Sequence, residues 1–232
     1  MLVYGRNVAK EILKNNQKVY KIMIEENFND KEIISLIENK NIKLEYLSKK
    51  EFFKFDKFSH QGIILDIEEF SYSNIESLLN IEDAKVVILD HLEDPHNLGA
   101  IIRTSEAAGI DGIIIPKDRS VEVNSTVMKT SAGALNHVSI SQVTNLRDSI
   151  KELKENGFWI IGTDIENSVD YKELDYSGKI AIVIGSEGKG MSDIIKKECD
   201  FIASIPMHGK VNSLNASVAA AIMIYESIRN RK

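Results

Sequence analysis

The sequence predicts an α/β protein in two parts, a small N-terminal α/β domain followed by a larger domain built on a parallel sheet. Three observations predict it. Short helical and strand patterns alternate over the first 67 residues. From Lys85 onward, near-continuous Val/Ile runs recur between helical stretches, as expected of strands buried on both faces. Between the two parts, "EEFSYSNIESLLNIEDA" (68–84) carries no long apolar run. The boundaries read from this are 1–68 for the first domain, 69–84 for a linker and 85–232 for the second.

In the first domain, "NVAKEILKN" reads as a helix capped by Asn7, and "VYKIMIE" as a strand. "DKEIISLIENK" places Ile33, Ile34 and Ile37 at helical spacing. "IKLEYLS" alternates as a strand, "KKEFFKF" is a short helix and "QGIILDI" a strand. The second domain contributes the strands "KVVILD", "DGIIIP", "HVSIS", "FWIIGTD", "KIAIVIG" and "DFIASIP". In open parallel sheets, ligands bind at the loops following the strand C-terminal ends. Three of those exits carry unusual residues here.

Composition narrows the class. With 43% apolar residues the 232-residue chain can bury a packed core, and 28% charged residues with three prolines exclude wholesale disorder. No run approaches about 18 apolar residues, and "MLVYGRNVAKEIL" lacks a cationic region leading into an apolar stretch. A soluble, cytoplasmic protein is expected. The single cysteine, Cys199, excludes an internal disulfide framework. His60, His91, His96, His137 and His208 show no metal-ligand spacing, so no metal site is expected. The net charge of −6 weighs against nucleic acid as a partner. Yet residues 1–70 hold twelve Lys/Arg and twelve Asp/Glu, and a neutral mean can hide a basic face.

Three segments bear on chemistry. "GSEGKG" (185–190) ends a buried strand, and its glycines suit either a tight turn or close approach of backbone to a ligand. It lacks the GK[ST] ending of a phosphate loop, and Glu187 favours a neutral or cationic ligand over a polyphosphate. "IPMHGKVNSLNASVAAAIMIYESI" leaves a strand at Pro206 and enters a helix near Leu214. Ser213 and Asn215 are competent caps for it, and its alanines allow close packing of another backbone. "DHLEDPHNLGAIIRT" is a strand exit entering a helix from Asn97, with Leu98, Ile101, Ile102 and Ser105 on one face. Arg103 falls off that face, where it either pairs with Glu106 in solvent or overhangs a ligand cleft.

Taken jointly, "DPHNLGAIIRT", "IVIGSEGKGM" and "IPMHGKVNSLNASVA", in that order and each at a strand exit, resemble the SpoU (TrmH) family of RNA ribose 2′-O-methyltransferases. The likeness runs from about Lys85 to Lys232. "VYGRNVAKEIL" and "HQGI" are similar to the branch with an N-terminal RNA substrate-binding domain, which includes the 23S rRNA guanosine methyltransferases. The resemblance implies a SPOUT-type α/β domain whose C-terminal segment threads a trefoil knot, and a homodimer. It implies S-adenosyl-L-methionine as cofactor and RNA as partner, 23S rRNA ahead of tRNA. It implies catalytic-site roles for Asn97, Arg103, Glu187, Ser213 and Asn215, and cofactor contacts from Thr163, Gly185, Ile205 and Leu214. Arg103 matches an arginine proposed to take the 2′-hydroxyl proton. Arginine stays protonated in proteins, so the expected role is anchoring an RNA phosphate. The phosphate-contacting surface is expected near Lys18, Lys21, Lys49, Lys50, Lys54 and Lys57.

Other readings remain open at this point. A tRNA methyltransferase would share the motifs. A non-catalytic RNA-binding or ribosome-assembly factor could keep the fold, although Asn97, Arg103, Glu187 and Asn215 are all intact. A nucleotide-binding oxidoreductase is discouraged by the missing G-x-G-x-x-G after the first strand of the sheet.

Overall fold

Runs such as "KVVILD" and "IAIVI" have no polar side to turn to water, so they fold only where both faces of a sheet are covered. The computed structural model, which describes residues 1–15, 17–38, 40, 42–55, 60–229 and 231, places them there. The chain forms two units, Met1–Ser71 with Val123–Gly133, and Tyr72–Glu122 with Ala134–Lys232.

The first unit contains β1 (Leu2–Tyr4), α1 (Arg6–Lys14), β2 (Val19–Glu25), α2 (Lys31–Glu38), β3 (Lys43–Leu47), α3 (Lys49–Phe52) and β4 (Ile63–Ile67). Its sheet runs β1-β4-β2-β3, with β2 parallel to β3 and antiparallel to β4. Val8, Ala9, Ile12 and Leu13 of α1 and Ile33 and Ile37 of α2 are buried, as helical spacing demands. Met23, Phe52 and Ile64 form a separate buried cluster. The first helix begins earlier than its sequence suggests. Gly5, at φ 99°, turns the chain out of β1, so Arg6 opens the helix and Asn7 lies exposed within the first turn instead of capping it. A three-residue strand such as β1 is too short to show a period.

The second unit contains α4 (Glu76–Leu79), β5 (Lys85–Asp90), α5 (Pro95–Ala107) and β6 (Gly112–Pro116). After α6 (Ser125–Ser131), which groups with the first unit, come β7 (Ser139–Val143), α7 (Leu146–Glu155), β8 (Trp159–Thr163) and β9 (Val169–Asp170). β10 (Ile180–Gly185), α8 (Asp193–Lys196), β11 (Phe201–Ser204) and α9 (Ala216–Ser227) complete it. The stretch 69–84 is not featureless: Ile75 and Leu78 of its helical turn are buried in the same core as Leu146, Ile150 and Leu153 of α7. Burial of that kind stabilises by about 1.5–3 kcal/mol per large aliphatic side chain.

The sheet order is β7-β6-β5-β10-β8-β11-β9, and every pairing in it is parallel. One face packs Val86, Ile88, Ala181, Val183 and Ile160 against α7 and Ile195 of α8. α5 and α9 pack against each other, and α9 against β10. The order matters for the site. β10 inserts between β5 and β8, with β11 on the far side of β8, so the exits of all four strands stand side by side.

Candidate active site

The loop leaving β10 folds back on itself. Ser186 N donates to Gly190 O at 3.1 Å and Gly190 N to Ser186 O at 3.0 Å. Gly188 (φ 82°) and Gly190 (φ 67°) occupy left-handed backbone that other residues adopt at a cost. A Cβ on Gly185 would meet the Gly190 carbonyl oxygen at 2.6 Å. The three glycines are therefore demanded by the loop's own closure. Its far end is pinned by Ser192 N, which donates to buried Asp90 Oδ2 at 2.7 Å. The other carboxylate oxygen of Asp90 lies 2.6 Å from His91 Nδ1.

This loop, the exit of β8 and the segment between β11 and α9 enclose a cavity of about 470 Å³. Thr163, Gly185, Ile205 and Leu214, the expected cofactor contacts, all line it, together with Glu187, Ser213 and Asn215. The Thr163 hydroxyl is already used, donating to Val183 O at 2.9 Å. Ile184, Ala203, Met207 and Ala219 add apolar wall. Sequence reasoning missed Asp164, which also lines the cavity. Burial would raise its carboxyl, but Lys196 Nζ at 2.6 Å and the amides of Glu166 and Ile165 outweigh that and hold it below the ordinary value. The signal was available: a carboxylate directly after "WIIGT", at the same kind of exit as the other motifs.

Asn97 and Arg103 do not line the cavity. The helix carrying them starts at Pro95, not Asn97: Asp94 caps it by accepting from His96 N at 2.9 Å, and Pro95 takes the first helical position, which needs no N–H. Asn97 thus falls in the first turn, buried, and its Nδ2 donates to Glu187 Oε1. Leu98, Ile101, Ile102 and Ser105 are buried on the expected face. Arg103 is exposed, and among the described residues it makes no ion pair, with Glu106 or any other carboxylate. At the other end of the site, Asn215 Oδ1 caps α9, accepting from Ser217 N at 2.9 Å and Ser217 Oγ at 2.6 Å. Ser213 is exposed at the cavity wall.

The cavity's size falls in the range of small-molecule sites, about 300–1,000 Å³. Its apolar wall suits a flat heterocycle, and Glu187 on its rim suits a positive centre. No three His, Cys, Asp or Glu side chains converge for a metal among the described residues. Fold and site together define a parallel-sheet α/β protein with a small-molecule cleft at its strand exits.

Comparison with known proteins makes the family definite. Residues 84–225 match the SpoU rRNA methylase family, and residues 2–73 match the RNA 2′-O ribose methyltransferase substrate-binding family. A Staphylococcus saprophyticus protein named for the TrmH family of tRNA/rRNA methyltransferases is 44% identical over 239 residues, covering 100% of this chain and 96% of that protein. A Bacillus subtilis protein of the same designation is 41% identical, covering 99% and 95%. Among solved structures, an AdoMet-bound rRNA methyltransferase from Sinorhizobium meliloti superposes with a TM-score of 0.83 at 26% identity, over 100% of this chain and 87% of that one. The AdoMet complex of the SpoU methyltransferase AviRb from Streptomyces viridochromogenes shares the fold, with a TM-score of 0.87 at 22% identity over 100% and 90% of the two chains. The chain belongs to the SpoU (TrmH) family of RNA methyltransferases. The two solved relatives are described as holding AdoMet, and the residues enclosing the cavity here fit a molecule of that kind.

Proposed function

We propose that this chain transfers a methyl group to the ribose 2′-oxygen of a guanosine in 23S rRNA, as an RlmB-type, cytoplasmic homodimer. The observation that carries the reading is the buried Asn97 side chain donating to Glu187 on the cavity rim, which ties the first motif to the second. S-adenosylmethionine supplies an electrophilic methyl on a sulfonium. The chain's own task is then positioning, because an in-line displacement gains most from aligned reactants. The apolar wall of Ile184, Ile205 and Leu214 takes the adenosine, with the backbone of Gly185 and Thr163 close by. Glu187, fixed by Asn97, faces the positive centre, and Ser213 and Asn215 orient the ribose. The guanidinium of Arg103, which makes no ion pair among the described residues, holds a phosphate of the target strand in its fork. The 2′-hydroxyl proton leaves to water.

Residues 1–68 serve as the substrate-binding domain and 85–232 as the methyltransferase domain. The rRNA assignment draws support from the S. meliloti structure, which spans both units of this chain and is described as an rRNA methyltransferase. A homodimer is supported by α9, which leaves Val218 and Tyr225 exposed beside small alanines. The trefoil threading expected of the class is part of the same proposal. The test is tritiated methyl transfer to unmodified 23S rRNA, with tRNA in parallel, followed by mapping of ribose methylation. Label on one 23S guanosine supports the assignment. Label on tRNA alone keeps the chemistry and overturns the substrate. Cofactor binding without transfer to either RNA overturns free RNA as the substrate and points to a ribonucleoprotein substrate or to a binding factor.

A further inference from the structure

The lysines expected to face phosphate separate into two groups. Lys18 pairs with Glu68 at 3.7 Å and Lys21 pairs with Glu45, so both are already partnered, while Lys57 lies outside the described residues. Lys49, Lys50 and Lys54 are exposed on α3 and the tight turn Phe53–Phe55 that follows it. The one carboxylate among them, Glu51, turns back to accept from Ser48 N at 2.8 Å and Ser48 Oγ at 2.7 Å.

The aromatic residues of the same stretch divide as sharply. Phe52 is 1% exposed and packs edge-on to Phe55 with ring centroids 6.4 Å apart. Phe53 is 74% exposed, more than any other large apolar side chain among the described residues. The Ser48–Glu51 bonds fix the start of the segment and the burial of Phe52 fixes its middle. The Phe53 ring therefore stays in solvent, on a segment that also exposes Lys49, Lys50 and Lys54.

We propose that Phe53 is a stacking platform for an unpaired base of the RNA substrate, with Lys49, Lys50 and Lys54 on the adjoining phosphates. The proposal deepens the RNA methyltransferase reading and rests on it. A flat exposed ring bounded by cations is complementary to a single strand, which presents a π-face at every base and a negative charge at every phosphate. It is a sequence-tolerant contact, suited to holding the strand while the selection of the target base happens elsewhere.

The test uses the full chain, a fluorescein-labelled single-stranded RNA taken from the substrate, and titrations at several salt concentrations. Phe53→Ala is expected to weaken binding about tenfold or more, with a nearly unchanged melting temperature because the ring is 74% exposed. Phe53→Tyr, which keeps the π-face, is expected to restore binding. The Lys49/Lys50/Lys54→Ala triple variant is expected to flatten the log–log salt dependence by about 2, at about 0.7 per phosphate contact. In the transfer assay the loss falls on KM for RNA and leaves kcat unchanged. Wild-type RNA binding with Phe53→Ala within twofold of it, or Phe53→Tyr as weak as Phe53→Ala, overturns the platform alone. A wild-type chain with no affinity for any RNA overturns both the platform and the enzyme reading.

Discussion

Gly185→Ala tests the architecture of the cofactor loop. The added Cβ would stand 2.6 Å from the Gly190 carbonyl oxygen and closer still to the neighbouring backbone atoms, where ordinary contact begins near 3.4 Å. The Gly190 carbonyl carbon, at 2.3 Å, must therefore retreat by about 1.1 Å. The retreat strains both Ser186–Gly190 hydrogen bonds, which close the loop. Overpacking of this kind costs about 1–3 kcal/mol, which corresponds to roughly 5- to 150-fold weaker binding if it falls on the cofactor-competent loop. Isothermal titration with S-adenosylmethionine measures it directly. Gly188→Ala is the control, since nothing lies within 4 Å of its Cβ and only the φ of 82° is unfavourable, by about 1–2 kcal/mol. The expected order of affinity is wild type, Gly188→Ala, Gly185→Ala. Binding by Gly185→Ala within twofold of wild type, in a protein of unchanged melting temperature, would refute the claim that loop closure builds the pocket.

Four further outcomes follow from the site. Asn97→Ala removes a hydrogen bond to a carboxylate, worth about 1.5–3 kcal/mol; because it frees Glu187 on the cavity rim, cofactor affinity measured by titration and methyl transfer are both expected to fall, transfer by about 10- to 100-fold. Arg103→Lys is expected to keep measurable turnover with weakened RNA binding, whereas a dead enzyme that binds RNA normally would rule out phosphate anchoring. The Asp164 carboxyl lies below its ordinary value in the folded chain, so the stability it contributes is full at neutral pH and lost as pH falls through the lowered value. Lys196→Met removes its cation, so the melting temperature should drop less between pH 7 and pH 3 than in wild type, by the equivalent of about 0.2–1 kcal/mol. Burial pushes the Cys199 thiol up to about 12, so iodoacetamide is expected to label the native protein far more slowly than the unfolded one; equal rates would contradict the packing around it.

Much of this was legible from the sequence, for a physical reason. The strands Val19–Glu25 and Lys85–Asp90 are visible because β-branched runs have few alternatives to a covered sheet. The buried face of α5 was legible because helical spacing is a strong signal. What escaped were contacts between distant segments. Asp164 stands visibly at a strand exit, but its ion pair with Lys196, 32 residues away, exists only in the fold. The start of α1 escaped because its turn depends on Gly5, and Arg6 N is held there by Gln61 Oε1 at 2.9 Å across 55 residues. Lys196 and Gln61 reach their partners only through folding, and no local period encodes such meetings.

The interleaving of strands explains why motifs so far apart in sequence meet at neighbouring strand exits. In sequence the strands run β5, β8, β10, β11; in the sheet they stand β5, β10, β8, β11. The swap places the glycine loop of β10 between the first motif and the exit of β8. It is gripped from the β5 side twice, by Asp90 through Ser192 N and by Asn97 through Glu187. Neither Asp90 nor Asn97 reaches the cavity wall, yet both fix a residue of the loop that does the enclosing. The first segment therefore meets the loop at two points, Glu187 and Ser192. Arg103, on the same helix but off its buried face, has no carboxylate partner among the described residues, which is the position the proposed phosphate-anchoring role requires.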